Sequence, residues 1–435
     1  MARRPPFDLP GVRINNASQA GGAVAAYYVG QPVSTPRRYD SLADQGYIKN
    51  PIGYRCTKLI AESAAAVPLI LQRKKAKVEE HDLLTLLAKP APGIGGRQLM
   101  EAFFAYLLLE GNTYLEGVAP FANRPPKELW ALRPDRMKVI PGARALPMAY
   151  DYEANGVRAR FDVDAVTGRS PILHFKDFHP LNDWYGLSRV EPAAYGIDQH
   201  NELSKHNTAL VQNGARPSGA LIFKPVTING TAQHAPEDVV KLAEQRLEDR
   251  HNGALNAGRP MVFGGDIDWQ EMGMTPRDGD FGGMRLDAGR DICNSFGVPH
   301  ELVIPGSSTF NNRAMARLEL YEDTVLPLHG KALDALNGWL TARYGDDLKL
   351  VPDLDAISAL EPRRETRRKG AIESFKAGLI RRDEARRQLG EDAIGGEEGD
   401  AFFKGTDTAS GDTSTAAPAG TPDQTRVNPD DPNAA

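Results

Sequence analysis

The sequence predicts an α+β fold, and three patterns carry that expectation. Long stretches repeat apolar residues every three or four positions, as an amphipathic helix does. One block, Thr113 to Lys176, switches to short alternating strands separated by Pro and Gly. The 435-residue length is too great for one core, so several structural units are expected.

In chain order, residues 1–45 are rich in Gly, Ala, Pro and Asn without periodicity and read as a flexible arm. The first helix is expected at Pro51, with the stripe Ile52, Cys56, Leu59, Ser63 and Val67. A strand Pro68–Arg73 follows, then a short helix His81–Leu87. Arg97–Glu110 is apolar on most faces and reads as a buried helix, broken at Gly111-Asn112. Six strands are expected next, as an antiparallel meander: Thr113–Val118, Glu128–Leu132, Met137–Ile140, Met148–Tyr152, Ala159–Val163 and Ile172–Lys176.

Ser188–Asn213 reads as a long helix with a thin apolar face: Val190, Ala193, Ala194, Ile197, Leu203 and Leu210. Such a helix is expected to pack beside copies of itself or to line water. Residues 215–277 read as a small α/β insert. It has strands at Gly219–Phe223, Pro260–Phe263 and near Trp269, and a helix from Pro236 to about His251. A second long helix, Met284–Phe296, repeats Met284, Ala288, Ile292 and Phe296 and stops at Gly297-Val298-Pro299. After a loop of turn formers and N-caps, Ile304–Asn312, a stripe that starts from Arg313, runs through Met315 and Trp339 and persists to about Tyr344 marks a third helix of roughly 45 Å. Pro327 in its middle should kink it. Leu348–Val351 reads as a strand. Basic helices at 361–377 and 382–389 follow, and beyond Gly405 the composition is that of a disordered tail.

Composition narrows the function. The chain is 41% hydrophobic and 25% charged, ordinary for a soluble protein, and no apolar run approaches a membrane span. Arg3 and Arg4 are followed by Pro5, Asp8, Asn15 and Asn16, so no signal peptide is expected. Cys56 and Cys293 lie inside helical patterns and suggest neither a disulfide framework nor a metal knuckle, which fits a reducing compartment. The net charge of −5 argues against a tight DNA binder, since affinity for DNA comes from neutralising phosphates.

The search for chemistry finds little. His300-Glu301 lacks the second histidine of a zinc-protease helix, because Ile304 stands there. Gly93-Ile94-Gly95-Gly96 lacks the spacing and preceding strand of a dinucleotide loop. No phosphate loop of an ATP motor occurs. Gly186–Val190 lacks the final glycine of a nucleophile elbow. Asp198, Glu202 and His206 share one helix face at ligand spacing, but such rows are common on solvated helices, so no metal is expected. Asp266, Asp268, Asp278 and Asp280 could serve two metals, yet no Lys or His accompanies them at a telling spacing, so loop solvation is the better reading. Arg363, Arg364, Arg367, Arg368, Lys369, Arg381, Arg382, Arg386 and Arg387 are interleaved with Glu361, Glu365, Glu373, Asp383 and Glu384. A salt-bridged solvent face is favoured over a nucleic-acid surface. The sequence therefore predicts no catalysis and no cofactor.

Several stretches together resemble the phage portal protein family, the head-to-tail connector of tailed bacteriophages. They are His81–Leu84, Leu107–Leu115, Leu132–Met137, Pro180–Ser188, Gln212–Pro217, Phe296–Leu302 and the Ser308–Asn312 loop. The Leu318–Leu328 helix with its proline and Gly378–Arg386 complete the set. Where the family pattern has a second proline after Val298-Pro299, this chain has His300.

The resemblance implies a homododecameric ring around a channel for double-stranded DNA. It implies an arm (1–45), an α/β wing (46–187), a first stem helix (188–213), a small α/β clip (214–277) and a second stem helix (278–299). A tunnel loop (300–312), a long channel-backing helix returning to the wing (313–360), a helical crown (361–404) and a tail (405–435) follow. The implied DNA-facing residues are Val303, Pro305, Gly306, Ser307, Ser308, Thr309, Asn311 and Asn312. Stem residues would be Asp198, Glu202, His206, Arg285, Asp287 and Asp291. Clip residues Glu237, Asp238, Lys241 and Arg246 would meet the terminase large subunit and later a head-completion adaptor. The major capsid protein would surround the wing. The rival readings are another ring-forming head–tail adaptor and a metal-dependent DNA-processing enzyme.

Overall fold

Asn50 starts the first long helix because its side chain accepts hydrogen bonds from the backbone of Ile52 and Gly53, and Pro51 then supplies a preset φ. In this computed structural model the described residues are 35–403, except 37, 75, 121–123, 144–145, 213–218, 225, 229–230, 234–235, 243–244, 246–266, 272–279, 307–308 and 346. The expected strand Pro260–Phe263, the end of the insert's helix, most of the arm and the tail lie outside them. The chain divides into two units, residues 1–359 and 360–435.

In the first unit, two short helical elements precede the expected start at Pro51. They are α1 (Tyr39–Ala43) and a π turn (Asp44–Ile48), with Leu42 buried. Then α2 (Pro51–Ala65) buries Cys56, Ile60, Ala61 and Ala64 and packs on the later helix Gly96–Glu110. Strands β1 (Leu69–Arg73) and β2 (Ala76–Val78) form one antiparallel sheet with the distant β13 (Leu348–Pro352), pairing Leu71 with Leu350. Helix α3 (Asp82–Ala88) is capped by His81, whose Nδ1 accepts from the Leu83 amide at 3.1 Å. Helix α4 (Gly96–Glu110) is buried along Leu99, Phe103, Phe104, Leu107 and Leu108, as its sequence requires. It ends at Gly111, φ +77°, where a Cβ would lie 2.5 Å from the Leu187 backbone, so only glycine fits.

The expected meander is instead two three-stranded sheets. Strand β3 (Asn112–Val118) pairs with β4 (Glu128–Leu132) on one side and with β8 (Ile172–Lys176) on the other. Strands β5 (Met137–Ile140), β6 (Ala149–Ala154) and β7 (Val157–Asp162) make the second sheet. Alternation marks strands but does not choose their partners. Here the shared cluster of Tyr114, Met137, Val139, Tyr150 and Ile172 decides, because it buries one face of each sheet against the other.

Helix α5 (Val190–Gln212) leads into the insert, of which two strand pairs are described: β9 (Gly219–Phe223) with β12 (Ile267–Glu271), and β10 (Val226–Ile228) with β11 (Thr231–Gln233). Helix α6 (Phe281–Phe296) returns from it. Helix α7 (Phe310–Glu319) runs into a π segment, Leu320–Val325, and then into α8 (Leu326–Trp339). The disturbance expected at Pro327 is thus taken up by a wider turn just before it. The proline has no amide hydrogen for the regular ladder, and a π turn tolerates that loss.

The second unit contains α9 (Glu361–Lys376), α10 (Arg382–Leu389) and the short α11 (Gly396–Gly399). Several of its basic residues are paired: Arg364 with Glu361, Lys369 with Glu365 at 3.0 Å, Arg382 with Glu398 at 2.6 Å and Arg381 with Asp400 at 3.0 Å. Asp383 accepts the amides of Ile394 and Gly395 and closes the unit. Those amides hold its carboxyl below the usual range.

Candidate functional site

The long helices α5 and α6 lie side by side as a hairpin with the insert at its far end. The thin stripe Val190, Ala193, Ala194, Ile197 and Leu203 is buried, as are Ala288, Ile292, Cys293 and Phe296 of α6. Small residues let the two backbones approach: a Cβ on Gly196 would sit 3.3 Å from the Ala288 carbonyl. The described part of the thin stripe is therefore covered within the chain, because one narrow face needs only one helix to cover it, and the side chain of Leu210 lies outside the described residues. Among the described residues, the large hydrophobic side chains that the hairpin leaves exposed are Tyr195, Met284 and Leu286.

Asp198, Glu202 and His206 do not converge. Asp198 accepts from the Thr35 amide at 2.8 Å and from the Thr35 hydroxyl. Glu202 pairs with Lys205 at 2.7 Å, and the His206 ring lies 4.7 Å from that of Phe281. On α6, Asp287 pairs with Arg290 at 2.7 Å and Asp291 is exposed. Arg285 reaches the buried His200, its Nε 3.4 Å from the imidazole Nε2. The other His200 nitrogen faces the Asn50 amide at 3.3 Å. Burial and the Arg285 charge hold this imidazole below its usual range, so it is a neutral link between α2, α5 and α6.

The base of the hairpin is a joint that sequence reasoning missed. Arg189 donates to the Phe296 carbonyl at 2.7 Å, closing the C-terminus of α6. Gly297 follows at φ +72°, and its carbonyl accepts from the Thr324 hydroxyl in the π segment. The end of the hairpin and the middle of the long helix are thus tied at one glycine. A threonine preceding a helix-interior proline was the available signal, but nothing in the sequence says which carbonyl it reaches.

The loop between α6 and α7 is anchored at its start and open at its tip. A 3₁₀ turn covers His300–Leu302, and the amides of Val303 and Ile304 bond to the His300 carbonyl at 3.0 and 2.7 Å. Ile304 packs at Gly289, where a Cβ would meet it at 3.1 Å. Pro305, Gly306 and Thr309 are exposed, and Gly306 has open space around it. Thr309 caps α7 by accepting from the Asn312 amide at 3.3 Å, with Asn311 and Asn312 exposed behind it. Ser307 and Ser308 lie outside the described residues. In the insert, Glu237, Asp238 and Lys241 are exposed and helical, and Lys241 pairs with Glu237 at 2.9 Å. Arg246 is outside the described residues.

A phage portal protein model matches residues 51–390. The chain belongs to the phage portal protein family. That match spans the hairpin, the loop and the long helix together. Portal proteins are structural components of phage-like particles and not enzymes. Among solved structures, the chain is 43% identical to one in the neck of the native gene transfer agent (GTA) particle computed with C12 symmetry. That likeness covers 83% of this chain and 96% of the other at a TM-score of 0.63. An HK97-family phage portal protein from Corynebacterium diphtheriae is 18% identical with a TM-score of 0.51, covering 74% of this chain and 98% of that one, which shows the shared fold. An uncharacterized protein of Rickettsia bellii is 36% identical over 322 residues, 73% of this chain and 81% of its own length. Among the described residues no helix is long and apolar enough to cross a membrane, and no three metal-binding side chains converge.

Proposed function

We propose that twelve copies of this chain form the ring at the portal vertex of a phage-like particle, around a channel through which double-stranded DNA is packaged and ejected. In this reading residues 46–187 are the wing, facing the major capsid protein. Residues 188–213 and 278–299 are the stem, with the clip between them at 214–277. The loop 300–312 faces the channel, backed by the long helix, and 361–404 is the crown. The terminase large subunit, and later a head-completion adaptor, dock at the clip near Glu237, Asp238, Lys241 and Arg246.

The observation that carries the reading is the neck-particle likeness, which covers 83% of this chain at 43% identity. Two features of the fold support it. The hairpin carries its insert at the end opposite its base at Arg189 and Gly297. The loop tip is small and uncharged where it is described, so it can touch a phosphate backbone by hydrogen bonds without a cation's grip. Mass photometry of the purified chain tests the ring: a species near twelve subunits is expected. A stable monomer at micromolar concentration in moderate salt defeats the reading.

A further inference from the structure

Two sulfurs far apart in sequence meet in the core at the base of the hairpin. Cys56 of α2 and Cys293 of α6 are 237 positions apart, yet their Sγ atoms are 3.8 Å from each other. Both side chains are fully buried, and both are free thiols. A disulfide brings its sulfurs to about 2.0 Å, so forming one must draw these two closer together.

The pair is also chemically asymmetric. The Cys56 thiol donates toward the Cys293 sulfur, which lowers Cys293 and, with burial, raises Cys56. With Cys293 as the sulfur that is oxidised first, Cys56 stands beside it to resolve what forms there.

We propose that Cys56 and Cys293 are a redox-modification site, a buried dithiol that hydrogen peroxide converts to an intrachain disulfide joining α2 to α6. The Cys293 sulfur attacks one peroxide oxygen and the O–O bond breaks. The hydroxide released takes the Cys293 proton and leaves as water, and Cys293 becomes a sulfenic acid. The Cys56 sulfur then attacks the sulfenic sulfur. The S–O bond breaks, the S–S bond forms, and the departing hydroxide takes the Cys56 proton as a second water. Each sulfur loses one electron, and peroxide gains two. Peroxide is small enough to enter during local opening of the core, whereas bulky thiol reagents are kept out. The reduced pair suits a chain made in a reducing compartment. The oxidised pair fastens the hairpin base to the first long helix.

The test uses the full-length protein. It is treated with hydrogen peroxide, denatured in N-ethylmaleimide, and weighed intact. Met315, 61% exposed, reports that the peroxide dose was sufficient through its sulfoxide. The expected product has lost two hydrogens at the cysteines and carries no maleimide, with a Cys56–Cys293 cross-linked peptide in the digest. Dithiothreitol should restore two maleimide sites. The oxidised protein should melt several degrees higher than the reduced one, a gain that Cys56→Ser should not show. Two maleimide adducts after Met315 has oxidised would overturn the proposal. So would sulfinic or sulfonic acid at either cysteine, or disulfide-linked dimers in place of the intrachain bond.

Discussion

Buried imidazoles give the fold a residue-scale sensitivity to acid. His329 is 2% exposed, stacks on Phe104 and has an Nδ1 without a hydrogen-bond partner. Burial pushes its pKa down to about 4. His174 is held between Tyr114 and Tyr150, with Nε2 donating to the Asn112 side chain at 3.1 Å, and is pushed down to about 3 by burial and by Lys176. In the unfolded chain both would titrate near 6.5, so below that pH the unfolded state binds more protons. Stability is therefore complete above about pH 6.5 and falls as pH drops toward the folded values. Each imidazole should remove about 2 kcal/mol by pH 5. Glu110 acts in the opposite sense: burial and Asp135 raise it to about 7, so its contribution is lost as pH rises through that value. Comparing variants cancels the Glu110 term. His329→Phe keeps an aromatic ring on Phe104 and should lose less melting temperature between pH 7 and pH 5 than the wild type. Equal losses in calorimetry would show that His329 is not neutral in the folded state.

At the scale of elements, the joint at Gly297 is where the hairpin, the loop and the long helix are set relative to one another. Its φ of +72° lies in the left-handed region, and a Cβ there would come within 2.9 Å of the Thr324 hydroxyl. Gly297→Ala should destabilise the chain by about 1–2 kcal/mol from backbone strain, with more if Thr324 has to release the carbonyl. Gly306→Ala is the matched control, since a Cβ there meets nothing within 4 Å. Urea titrations of the two variants should separate clearly. If they coincide, the joint is not under the constraint its geometry implies. The π segment beside it belongs to the same argument, because it turns Thr324 toward Gly297 and relieves the missing Pro327 amide.

At the scale of the whole molecule, the proposed ring places every loop 300–312 at one radius, so a small change is repeated around the channel. Ser308→Trp adds bulk between the exposed Gly306 and Thr309 without altering any helix stripe. Rings of normal size and melting temperature are expected, in particles that package little or no DNA. Normal packaging with Trp at this position would mean that the loop does not line the path. Failure to form rings would mean that the loop is a subunit contact.

What the sequence determined by itself was local. The helix start at Pro51, helix stops at Gly111 and Gly297, and strand positions from alternation were legible, because caps, glycine dihedrals and side-chain period act within a few residues, whereas α7 begins at Phe310, inside the expected loop Ile304–Asn312. Glu128–Leu132, Met137–Ile140 and Ile172–Lys176 were legible to the residue for that reason. The order of the portal motifs was equally legible, since it depends on spacing and not on contacts. Tertiary structure alone decided what meets across the chain. It brought β8 back to β3, β13 to β1, Arg189 to the end of α6, and Cys293 to Cys56. It also dispersed Asp198, Glu202 and His206, which share a helix face in the sequence, onto Thr35, Lys205 and Phe281. Periodicity states which face of an element is buried. It carries no term for the identity of the surface that buries it, and that choice is made by the packing of the whole core.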